Sequence, residues 1–91
     1  MIAQQNLLFM YTYLILKNYS SIEEPLNANE IATHIKREFE LSIKPDRRTI
    51  YAHIKDLYYL SETFPDEFLF SIIKLKNGKV YMKQNIFILK K

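Results

Sequence analysis

Residues 44–57, KPDRRTIYAHIKDL, hold the side chains with the clearest chemistry. Asp46 suits a helix N-cap, because its carboxylate can accept a bond from a free backbone N–H of the first turn. Arg47 and Arg48 then stand in that first turn. Arginine is electrostatically unfavourable there, since the positive end of the helix dipole already occupies the place. An anion arriving at that end relieves the conflict. Ile50, Ile54 and Leu57 recur at i, i+4, i+7 as a buried stripe, while Arg47, Arg48, Tyr51, Ala52 and Lys55 point elsewhere. The plain alternative is a solvated helix with two surface arginines. Recognition of a polyanion is the sharper reading and the one favoured here.

Other chemistry is thinly represented. His34 and His53 are the two histidines, and neither has a second ligand at a metal-binding spacing. His53 is expected on an exposed flank of its helix, where it could face DNA. No nucleophile, base and orienting group come together, and there is no glycine-rich phosphate loop, so the chain is not read as an enzyme and no cofactor is expected. Seven tyrosines and six phenylalanines invite a base-stacking reading. Most fall at helical or strand periods that bury them, with Tyr51 and Tyr81 as exceptions.

The charge is unevenly placed. Residues 1–73 carry seven Lys/Arg against ten Asp/Glu, a balance of −3, whereas residues 74–91 carry six lysines and no acid, a balance of +6. A weakly acidic body with a basic end suits a polyanion that touches one region; a solubilising tail is the plain alternative. Cysteine is absent, which excludes disulfides and thiolate metal sites. The apolar run 7–16 is too short to span a bilayer, and it lacks a basic start because the first lysine is Lys17. A cytoplasmic protein is the expectation. Ninety-one residues make a single domain, 1–91.

The elements that must position these residues follow from periodicity. Residues 4–18 read as a first helix with two apolar stripes: Leu7, Tyr11 and Leu14 on one, Phe9, Tyr13 and Leu16 on the other. A small domain is expected to bury one of them. Phe9, Tyr13 and Leu16 are taken as the surplus stripe, through which two copies pair as a homodimer, or over which residues 86–89 fold back. Asn27 caps a second helix, with Glu30 completing a capping box and Ile31, Ile35 and Phe39 on its buried face. Pro45 biases Lys44 toward an extended backbone and so ends that helix earlier. The third helix runs from Asp46 to about Leu60.

Beyond Pro65 the period drops to 2, and the single glycine, Gly78, follows Asn77. Asn-Gly is a strong signal for a two-residue hairpin turn. That turn pairs Lys76 with Lys79, Leu75 with Val80, Lys74 with Tyr81 and Ile73 with Met82. One face is then the core side, Ile73, Leu75, Val80 and Met82. The other holds Lys74, Lys76, Lys79, Tyr81 and Lys83. Like charges directly opposite one another are destabilising on a sheet, and phosphates would relieve them; protection of a sheet edge by lysine is the alternative. Three helices followed by a β-hairpin make an α+β winged helix-turn-helix, with the third helix in the major groove and the hairpin as its wing.

Residues 7–59 resemble the N-terminal DNA-binding domain of WYL-domain transcriptional regulators of low-GC Gram-positive bacteria. The matching runs are PLNANEIATHI, as the support helix, and DRRTIYAHIKDL, opening the recognition helix. The resemblance implies a winged-helix fold and DNA binding, with Arg47, Arg48, Thr49 and Tyr51 at the motif positions near phosphates or bases. The family's usual Arg-Asp after the tyrosine is Ala52-His53 here, so one groove-facing cation is missing. The ligand-sensing WYL domain is not within these residues, so no effector role carries over. The expectation is a small phage- or plasmid-type regulator that binds double-stranded DNA by sequence. Its major-groove set is Arg47, Arg48, Thr49, Tyr51, Ala52 and Lys55. Its backbone and wing set is Lys44, Lys74, Lys76, Lys79, Tyr81 and Lys83. The alternative is a winged-helix module that binds and inhibits a partner protein, such as a phage-encoded antagonist of a host protein.

Overall fold

The computed structural model describes residues 5–84. Three helices, α1 (Gln5–Tyr19), α2 (Ala28–Glu38) and α3 (Arg47–Thr63), precede an antiparallel hairpin of β1 (Phe70–Lys74) and β2 (Val80–Gln84). This is the α+β order of a winged helix-turn-helix. Among the described residues, no helix is long and apolar enough to cross a membrane.

The caps of α2 and α3 form as their sequences dictate. Asn27 Oδ1 accepts the Glu30 N–H at 2.8 Å, and the Glu30 carboxylate accepts the Asn27 N–H at 2.9 Å. Asp46 accepts the Arg48 N–H at 2.8 Å. The turn between α2 and α3 closes with a reverse bond from the Leu41 N–H to the Lys36 carbonyl, at 3.0 Å. Glu40 takes a left-handed φ of 54° there, in the place where glycine is usual. Ile31, Ile35, Ile50, Ile54 and Leu57 are buried as expected.

The first helix packs differently from its apolar stripes. Its buried line is Leu8, Thr12, Ile15 and Leu16, which runs between the two stripes and takes only Leu16 from them. Thr12 satisfies its buried hydroxyl by donating to the Leu8 carbonyl at 2.8 Å, so a polar residue can lie on the core line. Both stripes become flanks. Tyr11 stacks on Phe39 with ring centroids 3.7 Å apart. Phe9 meets the His53 ring edge-on at 5.5 Å, and Tyr13 lies 5.7 Å from Phe70. Leu16 is fully buried, so the surplus stripe expected from Phe9, Tyr13 and Leu16 does not stand free as a pairing surface. The exposed apolar side chains near the start of α1 are instead Leu7 and Met10. The expected cover from residues 86–89 lies outside the described residues.

The hairpin turns at Asn77–Gly78 but in a different register. Ile72 pairs with Met82, Ile73 with Tyr81 and Lys74 with Val80. The loop has three residues, closed by bonds from the Gly78 N–H to the Leu75 carbonyl (3.1 Å) and from the Leu75 N–H to the Lys79 carbonyl (2.9 Å). Gly78 takes φ 86°, while Asn77 keeps a negative φ. A two-residue type I′ turn would need positive φ at both positions. A slip of one residue exchanges faces. Phe70 and Ile72 therefore join Val80 and Met82 in the core, and Ile73 and Leu75 move to the half-buried outer face with Tyr81. The expected opposition of Lys76 and Lys79 does not form, because Lys79 faces Leu75.

The outer edge of β2 is also occupied. Leu26 and Val80 exchange two backbone bonds of 2.8 Å, and the Met82 N–H donates to Ser20 Oγ at 2.9 Å. The connection between α1 and α2 thus fastens the hairpin to the helices.

Candidate nucleic-acid interface

The cap at Asp46 and the buried Ile50–Ile54–Leu57 line fix the rotation of α3. Arg47, Arg48, Tyr51, Ala52 and Lys55 consequently face outward. Opposite them stands the hairpin, held at its distance by Leu26. Between helix and hairpin lies a cleft of two adjoining hollows that share Ala28, Tyr51 and Gly78. The first, about 400 Å³, is lined by the start of α2 (Asn27, Asn29), by Arg47 and Arg48, and by Asn77 at the turn. The second, about 160 Å³, continues past Ile54 and Lys55 to Lys74, Leu75, Lys79 and Val80. Tyr51, 57 % exposed, stands at the junction.

Five of the expected cations thus converge from two sides: Arg47, Arg48 and Lys55 from α3, Lys74 and Lys79 from the hairpin. The lysines of the cleft are steered by local partners. Lys79 Nζ lies 3.6 Å from the Glu30 carboxylate. Lys74 Nζ sits 4.0 Å over the Tyr58 ring, and Lys55 Nζ 5.5 Å over Tyr51. Lys44 donates to Asn29 Oδ1 at 2.8 Å, which ties the entrance of α3 to the first turn of α2. Asp46 binds the Arg48 guanidinium through both carboxylate oxygens. Those hydrogen bonds hold the Asp46 carboxyl below its ordinary range and raise Arg48 further.

The remaining expected residues do not line this cleft. Lys76 is exposed at the hairpin tip, Ala52 is exposed on α3 outside the lining, and Thr49 is half-buried. Tyr81 and Lys83 belong to a separate hollow on the far edge of β2, with residues 20–23. Both stay on the face opposite Val80 and Met82, and it is Lys74 that the slip in register moves off that face. His53 is corrected outright. It is buried against Phe9, with neither ring nitrogen hydrogen-bonded, and it lines neither hollow of the cleft. His34 receives the Arg37 guanidinium on Nδ1 at 2.8 Å and stacks under Tyr19 at 4.7 Å, an arrangement that joins α2 to the end of α1. Among the described residues, no three His, Asp or Glu side chains are grouped to hold a metal ion.

Asn27, Asn29 and Asn77 also line the cleft, and the spacing of charged residues does not mark them. A different signal marks the first two. In a helix-turn-helix the first turn of the support helix adjoins the recognition helix, and the Asn27 capping box fixes where that turn lies.

Chemically, the cleft offers cationic donors on both walls, an exposed aromatic face between them, and side-chain amides at one mouth. It is suited to a polyanionic strand. In comparison with known proteins, no family model matches this chain, and neither a curated protein nor a solved structure matches it.

Proposed function

We propose that this domain binds double-stranded DNA in a sequence-dependent manner and acts as a transcriptional regulator. The observation that carries the reading is the convergence of Arg47, Arg48, Lys55, Lys74 and Lys79 around Tyr51, in the gap between an exposed helix and a hairpin. With α3 in the major groove, one sugar-phosphate strand passes through that gap, and the hairpin lysines meet its phosphates. The resemblance of residues 7–59 to the DNA-binding domain of WYL-type regulators supports the same assignment.

The test is a salt titration of binding to a random-sequence duplex, followed by anisotropy. Each phosphate contact should contribute about −0.9 to the slope of log K against log salt. Replacing Lys74 and Lys79 with Ala should weaken all duplexes alike and flatten the slope by about one unit for each phosphate no longer neutralised. Absence of duplex binding at low salt overturns the proposal.

A second reading, a module that binds and inhibits a partner protein, draws on a separate groove of about 240 Å³. Phe9, Met10, Tyr13, Leu60 and Phe68 line it, with Glu67 as its one charged side chain. That reading takes over if the titration shows no duplex binding.

A further inference from the structure

We infer that Asp46 is a positioning residue that presents Arg48 end-on to a guanine and withdraws it from phosphate binding. The inference rests on the DNA-binding reading and deepens it. Asp46 makes three bonds to a single residue. Oδ1 accepts the Arg48 backbone N–H at 2.8 Å and Nε–H at 3.3 Å, and Oδ2 accepts from Nη2 at 3.0 Å.

A guanidinium carries five N–H donors in a rigid plane, with two edges that can each donate in parallel. One edge joins Nε to an Nη; the other joins the two Nη atoms. Asp46 takes the first edge. The second is left outward, since the Arg48 side chain is 86 % exposed. Two parallel donors match guanine O6 and N7, which are neutral acceptors in the major groove. They would also match a phosphate, but a carboxylate fixed beside the guanidinium cancels its charge and repels a second anion. Arg47 makes no ion pair within 4.0 Å among the described residues, feels Asp46 only as a more distant charge, and lines the same hollow. The two adjacent arginines therefore divide the work, Arg47 meeting the backbone and Arg48 a base. Clamping also removes rotamer freedom before binding, so less remains to be given up when the base is engaged.

The experiment starts by selecting sites from a random duplex pool with the intact chain. Affinities are then measured for the selected duplex, for copies with each guanine changed to adenine, and for random duplex. Asp46→Asn keeps a good cap, because Asn and Asp cap comparably, but it breaks the clamp. At one guanine position it should lose the discrimination of roughly tenfold or more that a bidentate contact confers. Its affinity for random duplex should hold or rise. Arg48→Lys, which keeps the charge without the fork, should lose discrimination at the same position with the salt slope unchanged. Adding Asp46→Asn to Arg48→Lys should remove nothing further. Discrimination that survives either single change, or an Asp46→Asn loss equal on all duplexes, overturns the inference while leaving DNA binding in place. A wild-type chain that binds no duplex overturns both.

Discussion

The imidazole of His53 is buried beside Phe9 with both nitrogens unbonded. Burial lowers its pKa from the ordinary 6.5, with Asp56 nearby opposing the shift. Well above pH 6.5 the imidazole is neutral in both folded and unfolded chains, and its contribution to stability is full. As the pH falls through the window below that, the unfolded chain takes the proton first and stability declines, until the folded imidazole is protonated too. His53→Leu should flatten this part of the stability profile. It should also stabilise the neutral protein by about 1 kcal/mol, because two unpaired buried nitrogens are removed. Urea unfolding at pH 5 and pH 8 checks both; an unchanged pH profile would place the sensitivity elsewhere. The second residue-scale prediction concerns Glu40. Its φ of 54° costs a non-glycine residue about 1 kcal/mol, so Glu40→Gly should raise the melting temperature by a few degrees.

At the scale of elements, the hairpin depends on Gly78 for conformation rather than space. An added Cβ would meet nothing within 4 Å, yet φ is 86°. Gly78→Ala should therefore destabilise by roughly 1 kcal/mol, and Gly78→Asn by less, since Asn tolerates the left-handed region. Equal losses in thermal melts would point to packing instead. The elements also show what the chain reveals by itself. The capping box at Asn27 and Glu30, the Asp46 cap and the Ile50–Ile54–Leu57 line are local, and each is legible from spacing alone. The rest is decided by competition between elements. Thr12 joins the core line of α1 because its hydroxyl is satisfied by its own helix, which no hydropathy pattern displays. The hairpin register turns on whether Asn77 adopts a positive φ, and Phe70 and Ile72 displace Ile73 and Leu75 from the core. The cleft is half legible: the α3 cations are visible in the sequence, but the partners from α2 need the packing of α2 against α3.

For the whole molecule, the cleft exists because β2 is held on both edges, by β1 on one side and by Leu26 and Ser20 on the other. Ser20→Ala deprives the part-buried Met82 N–H of its acceptor, and should cost about 1–3 kcal/mol. Chemical denaturation measures that loss, and a neutral result would show the N–H re-paired. The same bond has a consequence in time. Ser20 and Met82 lie 62 residues apart in the chain, whereas the caps and turns join near neighbours. Closing a long loop costs chain entropy before anything is gained, so such pairings form late. The helices should therefore assemble before the hairpin docks, and amide protons of β2 should exchange faster than those of Ile54 or Leu57. The wall that completes the cleft would be the last to arrive during folding and the first to leave. The cleft would then be lost, and rebuilt, in a molecule whose three helices never came apart.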